Sequence, residues 1–237
     1  MTWSIVARDA DGSLGIAIAS RFFAVGALCP YVRANVGAVA TQALCNPLYA
    51  AAALDAMSRG ETPTAVVEAL TAADDGREHR QIHLIDTHGR IGAHTGAACI
   101  DWCGQTSGAS FSVAGNMLAG RDVPTATAKT YESESSRPFA ERLIAALAAG
   151  ERAGGDKRGK QAAALLIATT EDYPALDLRV DDHAEPIVEL ARLYEKSLER
   201  FQPFVACLPS RGTPAGIFDR ALIEAEIARF QSARRKD

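Results

Sequence analysis

Thr2-Trp3-Ser4-Ile5-Val6-Ala7, then Asp9-Ala10-Asp11-Gly12, then Leu14-Gly15-Ile16-Ala17-Ile18-Ala19 follow one another almost without interruption. The first run is rich in β-branched and aromatic residues, which favour a strand. The second is a turn, because Asp and Gly tolerate the positive φ that tight hairpins need. The third is small and apolar throughout, and a strand with no polar face is expected to be buried on both sides. A hairpin whose second strand is covered above and below calls for layers on either side of its sheet.

Working outward, residues 36–41 (VGAVAT) have strand character, and Asn46-Pro47 signals a helix start that runs past Leu54 and Met57 to Gly60. Thr62-Pro63 repeats that signal for a helix carrying Val66, Val67 and Leu70. Residues 81–86 and 90–95 form a hairpin around His88-Gly89, and residues 111–118 another strand. Helices are expected near 125–133 and 138–149, strands at 162–169 and 176–181, and helices from Pro186 to Phe201 and over 217–230. Runs of strands alternating with helix pairs fit an α+β fold: two stacked sheets with helices on both outer faces, a four-layer αββα sandwich. Single strands alternating with single helices would mark a doubly wound sheet, and that pattern is missing. The seven residues 153–159 are too short a linker to divide domains, so residues 1–237 read as one domain with a C-terminal amphipathic helix.

The chain has 237 residues, 48% hydrophobic and 23% charged, with formal net charge -4. That composition is globular and offers no basic footprint for nucleic acid or an anionic membrane. No apolar run reaches the ~20 residues of a membrane helix, and the N-terminal segment lacks the basic start of a secretion signal. The five cysteines are odd in number and widely spread, which argues against a disulfide scaffold. A cytoplasmic protein acting on a small molecule is expected, without nucleic-acid or membrane partners and without a cofactor. Its low aromatic content and last helix are compatible with a homodimer.

Thr2 is the first chemical candidate. Initiator methionine is removed when the next side chain is small, which would leave a threonine carrying both a hydroxyl nucleophile and an α-amine. With an ordinary pKa near 8, lowered by burial, that amine is able to take the hydroxyl proton. A threonine at position 2 is common, so its weight comes from its place at the head of a strand. Arg21 follows the second strand and is a candidate grip for a substrate carboxylate, or else a structural ion-pair residue. Asn116, within Gly115-Asn116-Met117, is a candidate oxyanion donor or a turn former. Backbone N–H groups of Thr41-Gln42-Ala43 are further oxyanion candidates, with Arg33, Gln42 and Asn46 as substrate-binding groups. His79, His83, His88, His94, Cys99 and Cys103 lie close in sequence, but the paired Cys-x2-Cys of a structural zinc site is missing. His83 facing His94 across the hairpin is the residual metal reading. Asp181-Asp182-His183 reads as a charged turn before the helix that Pro186 opens.

Residues 2–27 (TWSIVARDADGSLGIAIASRFFAVGA), 37–47 (GAVATQALCNP), 95–102 (TGAACIDW), 111–120 (FSVAGNMLAG), 154–166 (GGDKRGKQAAALL) and 178–183 (LRVDDH) together resemble a bacterial and archaeal family of unassigned function. That family is placed structurally among the N-terminal-nucleophile hydrolases, and the resemblance runs from Thr2 to about Leu193. It implies the αββα sandwich and amide-bond hydrolysis by a terminal Thr, Ser or Cys. Proteasome-type members support their threonine with an Asp at the end of the second strand and a nearby Lys. Here that segment reads Ala19-Ser20-Arg21, and no lysine precedes Lys129. Arginine is no proton shuttle, so base work would fall to the Thr2 amine. Two readings follow: an amidohydrolase for a small carboxylate-bearing substrate, or a binding or interaction protein that kept the scaffold without the chemistry.

Overall fold

The structure is a computed structural model that describes residues 2–234. It is a mixed α+β fold with two antiparallel sheets and, among the described residues, seven α-helices. Thr2–Arg8 (β1) and Leu14–Ser20 (β2) pair as a hairpin, closed by the Gly12 N–H on the Asp9 carbonyl, with Gly12 at φ +93°. All seven residues of β2 are buried, as a strand covered on both faces requires.

The remaining elements run in chain order. Pro30–Arg33 (β3) and Gly37–Ala43 (β4) are followed by the helices Leu48–Ser58 (α1) and Pro63–Ala72 (α2). Arg80–Asp86 (β5) and Ile91–Thr95 (β6) form the second hairpin, and Trp102–Ser107 (β7) pairs with Phe111–Leu118 (β8). Asp122–Ser133 (α3) and Phe139–Arg152 (α4) precede Ala162–Ala168 (β9) and Leu176–Val180 (β10). Pro186–Glu199 (α5), Phe201–Val205 (α6) and Arg220–Arg234 (α7) are the last elements among the described residues. The six-stranded sheet has the order β10-β9-β2-β1-β8-β7 and the four-stranded sheet β3-β4-β5-β6.

Strand alternation sorts the side chains. Val6, Leu14 and Ile16 of the larger sheet pack with Ala38, Ala40 and Ile85 of the smaller one, so these faces look at each other. On its other face the smaller sheet sets Val39, Ile82 and Leu84 against Tyr49, Ala53, Leu54, Val66 and Val67 of α1 and α2. Thr62 caps α2 by accepting the Ala65 N–H, with Pro63 in its first turn. On the larger sheet Gly15 lies under Phe139 and Leu143 of α4, and Trp3 lies against Gly150. Each fully buried Val, Leu or Ile contributes about 1.5–3 kcal/mol.

The chain falls into two compact units, one up to Leu190 and one from Ala191 on, with the boundary inside α5. The first contains both sheets. Within the second, Arg200 pairs with Glu224, and Gln231 donates to the Glu199 carbonyl at 2.6 Å. No helix among the described residues is long and apolar enough to cross a membrane.

Candidate functional site

The space between the sheets changes character along β1. Val6 meets aliphatic neighbours, whereas Ser4, two residues earlier on the same face, turns its hydroxyl to polar side chains of the other sheet. Ser4 Oγ donates to Gln42 Oε1 at 2.8 Å and lies 2.7 Å from His83 Nε2. Gln42 Nε2 donates to Gln81 Oε1 at 2.7 Å, and Asn116 Nδ2 donates to the same oxygen at 3.0 Å. Gln81 Nε2 donates to the Gly115 carbonyl and to Thr95 Oγ1, both at 2.9 Å. These groups come from β1, β4, β5, β6 and β8 and form one directional network. The other ring nitrogen, His83 Nδ1, lies 3.0 Å from Ser112 Oγ, so both nitrogens of the ring have a hydroxyl neighbour. Burial pushes the His83 pKa from its ordinary 6.5 down to about 3, which keeps the ring neutral.

Thr2 heads β1 at the polar end and is 4% exposed. Its register partners are Ser20 on one side and Asn116 on the other. Thr2 Oγ1 lies 3.1 Å from Ser20 Oγ, and Asn116 Nδ2 reaches the Thr2 carbonyl at 3.5 Å. Asn116 also lines a cleft of about 360 Å³ with Phe22, Ala43, Leu44, His79, Ala98, Cys99, Ile100, Met117 and Arg158. Two of these wall residues, Ala43 at φ +69° and Met117 at φ +50°, hold left-handed backbone without being glycine. Each such residue costs about 1–2 kcal/mol, and strain of this kind concentrates where a binding surface is shaped.

The sequence-derived candidates separate on this geometry. Thr2 and Asn116 come together. Arg21 is beside Ser20, but its side chain is exposed and Nη1 donates to the Lys160 carbonyl at 3.2 Å. Arg33 ends β3 opposite Gly37, at the other end of β4 from Gln42, and pairs with Asp55 at 2.8 Å. Gln42 is fully buried, with both ends of its amide engaged in the network. Asn46 Oδ1 accepts the Leu48 N–H at 3.2 Å and Nδ2 reaches Asp74 at 3.5 Å, so it opens α1. The Thr41 N–H, expected as an oxyanion donor, goes to the Cys29 carbonyl at 3.0 Å because β4 is lined by the chain entering β3.

The histidine pairing is also corrected. His83 is opposite Ala93 and His94 opposite Ile82, so consecutive positions send the two rings to opposite faces. His94 contacts the Arg77 carbonyl. No cluster of three or more metal-ligating side chains occurs among the described residues. Asp181 pairs with Arg179, and His183 Nδ1 accepts the Glu185 N–H, a charged turn as expected.

Sequence reasoning missed Ser20, Gln81 and Asp156. The stretch 153–159 read as a linker, yet Asp156 is buried and accepts the Arg21 N–H at 2.8 Å. A carboxylate therefore stands at the end of β2 after all, delivered from beyond α4. Gly154, Gly155 and Gly159, all at positive φ, fold the segment back. The lysines beside it are engaged, Lys157 with Asp101 and Lys160 with Glu151 and Glu185.

Comparison with known proteins places this geometry in a family. A crystal structure of a Silicibacter pomeroyi protein carrying the DUF1028 family model superposes with TM-score 0.85 at 31% identity, covering 92% of this chain and 99% of that one. The Anbu (ancestral beta-subunit) from Yersinia bercovieri aligns with TM-score 0.39 at 12% identity over 88% of this chain and 98% of that chain, a likeness too low to carry an argument. No curated protein matches. The model of the family of unknown function DUF1028 matches residues 2–190, the part of the chain that holds both sheets and the polar network. A match of that extent shows kinship, and the chain belongs to the DUF1028 family.

Proposed function

We propose that this protein is an amide hydrolase of the N-terminal-nucleophile type, built on a four-layer αββα sandwich, with Thr2 as nucleophile once Met1 is removed. One observation carries the reading. Thr2 is buried at the head of β1, its hydroxyl 3.1 Å from Ser20 Oγ, and its register partner Asn116 lines the cleft. Thr2 Oγ attacks the substrate carbonyl carbon while the Thr2 α-amine takes the hydroxyl proton, directly or through a water. Ser20 orients the hydroxyl. The oxyanion is met by the Asn116 amide, whose 3.5 Å contact to the Thr2 carbonyl is the weaker of its two bonds. The same amine protonates the leaving nitrogen, and water then cleaves the threonyl ester.

The cleft favours a small substrate with an apolar portion and a carboxylate. Phe22, Leu44 and Ile100 supply exposed apolar wall, and Arg158, which pairs with Asp156 at 3.3 Å through one nitrogen of its guanidinium, supplies the cation. Arg158 takes the gripping role expected of Arg21 or Arg33.

A second reading, a binding protein without turnover, is favoured by the engaged amides of Gln42 and Gln81 and by the ion-paired lysines. Intact-mass spectrometry and two variants separate the readings. The hydrolase reading expects Met1 to be absent from the purified protein. Over a panel of N-acyl amino acids, Thr2→Ser should retain turnover and Thr2→Ala should lose about 10³-fold or more. Retained Met1, or equal turnover by Thr2→Ala, overturns it in favour of binding.

A further inference from the structure

Two cysteines that take no part in the network above share one apolar cluster behind one wall of the cleft. Cys29 is buried just before β3, in a cluster with Ile18, Val25, Ala162 and Ala164, and Cys45 packs onto that cluster. The backbone explains their meeting. The Cys29 carbonyl accepts the Thr41 N–H at 3.0 Å, and the chain after β4 curls back so that Thr41 Oγ1 accepts the Asn46 N–H at 3.1 Å. Residues 29 and 45 are thus brought to either side of Thr41, and Cys45 packs against the same buried cluster that holds Cys29. Cys45 is half-buried while Cys29 is 3% exposed, and both are free thiols.

We propose that Cys29 and Cys45 form a peroxide-reactive dithiol, with Cys45 as the attacking sulfur and Cys29 as the resolving one. The ionisation of the pair agrees. The Cys29 hydrogen bond first, and the Arg80 guanidinium after it, hold the Cys45 thiol down to about 6 against the effect of burial. The same hydrogen bond and burial push Cys29 far up. The low-pKa sulfur is therefore the more accessible one, the arrangement that redox-sensitive thiols share.

The oxidant is hydrogen peroxide or an organic hydroperoxide. The Cys45 thiolate attacks one peroxide oxygen, the O–O bond breaks and hydroxide leaves, so that sulfur is oxidised to a sulfenic acid and peroxide is reduced. Cys29 sulfur then attacks Cys45 sulfur, the S–O bond breaks, and the hydroxyl leaves with the Cys29 proton as water. Two thiols and one peroxide give one disulfide and two waters. Arg80 ties into this segment by donating to the Leu44 carbonyl at 2.6 Å, and Leu44 and Ala43 line the cleft. The disulfide would fasten that wall to the chain before β3. The inference stands whether or not Thr2 is a nucleophile.

The test is hydrogen peroxide titration of the full-length protein, followed by alkylation and peptide mapping. The expected result is a mass loss of two hydrogen atoms, reversed by dithiothreitol, and a linked Cys29–Cys45 peptide, with Cys99, Cys103 and Cys207 still alkylated. In the reduced protein at neutral pH, Cys45 should react with iodoacetamide about tenfold faster than Cys103. Cys29→Ser should leave a dimedone-reactive sulfenic acid on Cys45. First oxidation at Cys99 or Cys103, or overoxidation of Cys45 without a linked peptide, overturns the proposal. The peptide map and the alkylation rate both use the wild-type protein, so a poorly folding Cys29→Ser variant does not blunt them.

Discussion

His83 is wholly buried between Ser4 and Ser112, and its neutrality is a stability term. The unfolded chain binds the proton near 6.5, the folded chain only near 3. Between those values protons favour the unfolded state, so this contribution is whole above about 6.5 and is lost as pH falls. The slope is up to about 1.4 kcal/mol per pH unit. Urea denaturation at pH 7 and pH 5 should show wild-type stability dropping, with a clearly smaller drop for His83→Gln. Equal drops would place the acid sensitivity elsewhere. Thr2, Asn116 and Gln42 were legible as polar residues at strand ends. His83 was legible only as a histidine in a hairpin, because its burial depends on a strand about eighty residues away. Arg33 shows the converse: its charge was readable, but its partner Asp55 lies on a helix whose packing no local pattern reveals.

At the scale of elements, close approach between backbones governs. Gly92 of β6 lies against the start of α2, where an added Cβ would meet the Pro63 carbonyl group, an atom set unable to rotate away. Gly92→Ala should destabilise by about 1–3 kcal/mol, the cost of overpacking, read as a shift in thermal midpoint with little change in helix content. An unchanged midpoint would mean that α2 slides freely on the sheet. The same scale shows why some elements were readable. The hairpin β1–β2, α2 with its Thr62 cap, β5–β6 and β8 announce themselves through turns, caps and buried runs. Pro30–Arg33 and Trp102–Ser107 did not, and both are edge strands. The first is short and opens with proline. The second is largely half-exposed, with a bulge between Trp102 and Gly104, so neither carries a clear alternation.

Across the whole molecule, protection from proteolysis should follow burial. Arg211 is exposed and outside any helix, in the stretch between α6 and α7. Lys157 and Arg158 are exposed too, but their segment is pinned by buried Asp156 through Arg21 and Arg158. Limited trypsin digestion should therefore cut first after Arg211 and leave residues 2–190 intact by mass spectrometry. A first cut at Lys157 or Arg158 would show that the Asp156 segment opens readily. By itself the sequence determined the α+β class, the opening hairpin and most helix starts, since turns, caps and strand faces are set by neighbouring residues. The tertiary structure alone decided that Gln81, His83 and Asn116 share one network, that Asp156 returns to the end of β2, and that Cys45 packs onto the cluster that holds Cys29. The reason is physical: alternation tells which face a side chain takes, whereas sheet order and the stacking of two sheets choose what it faces.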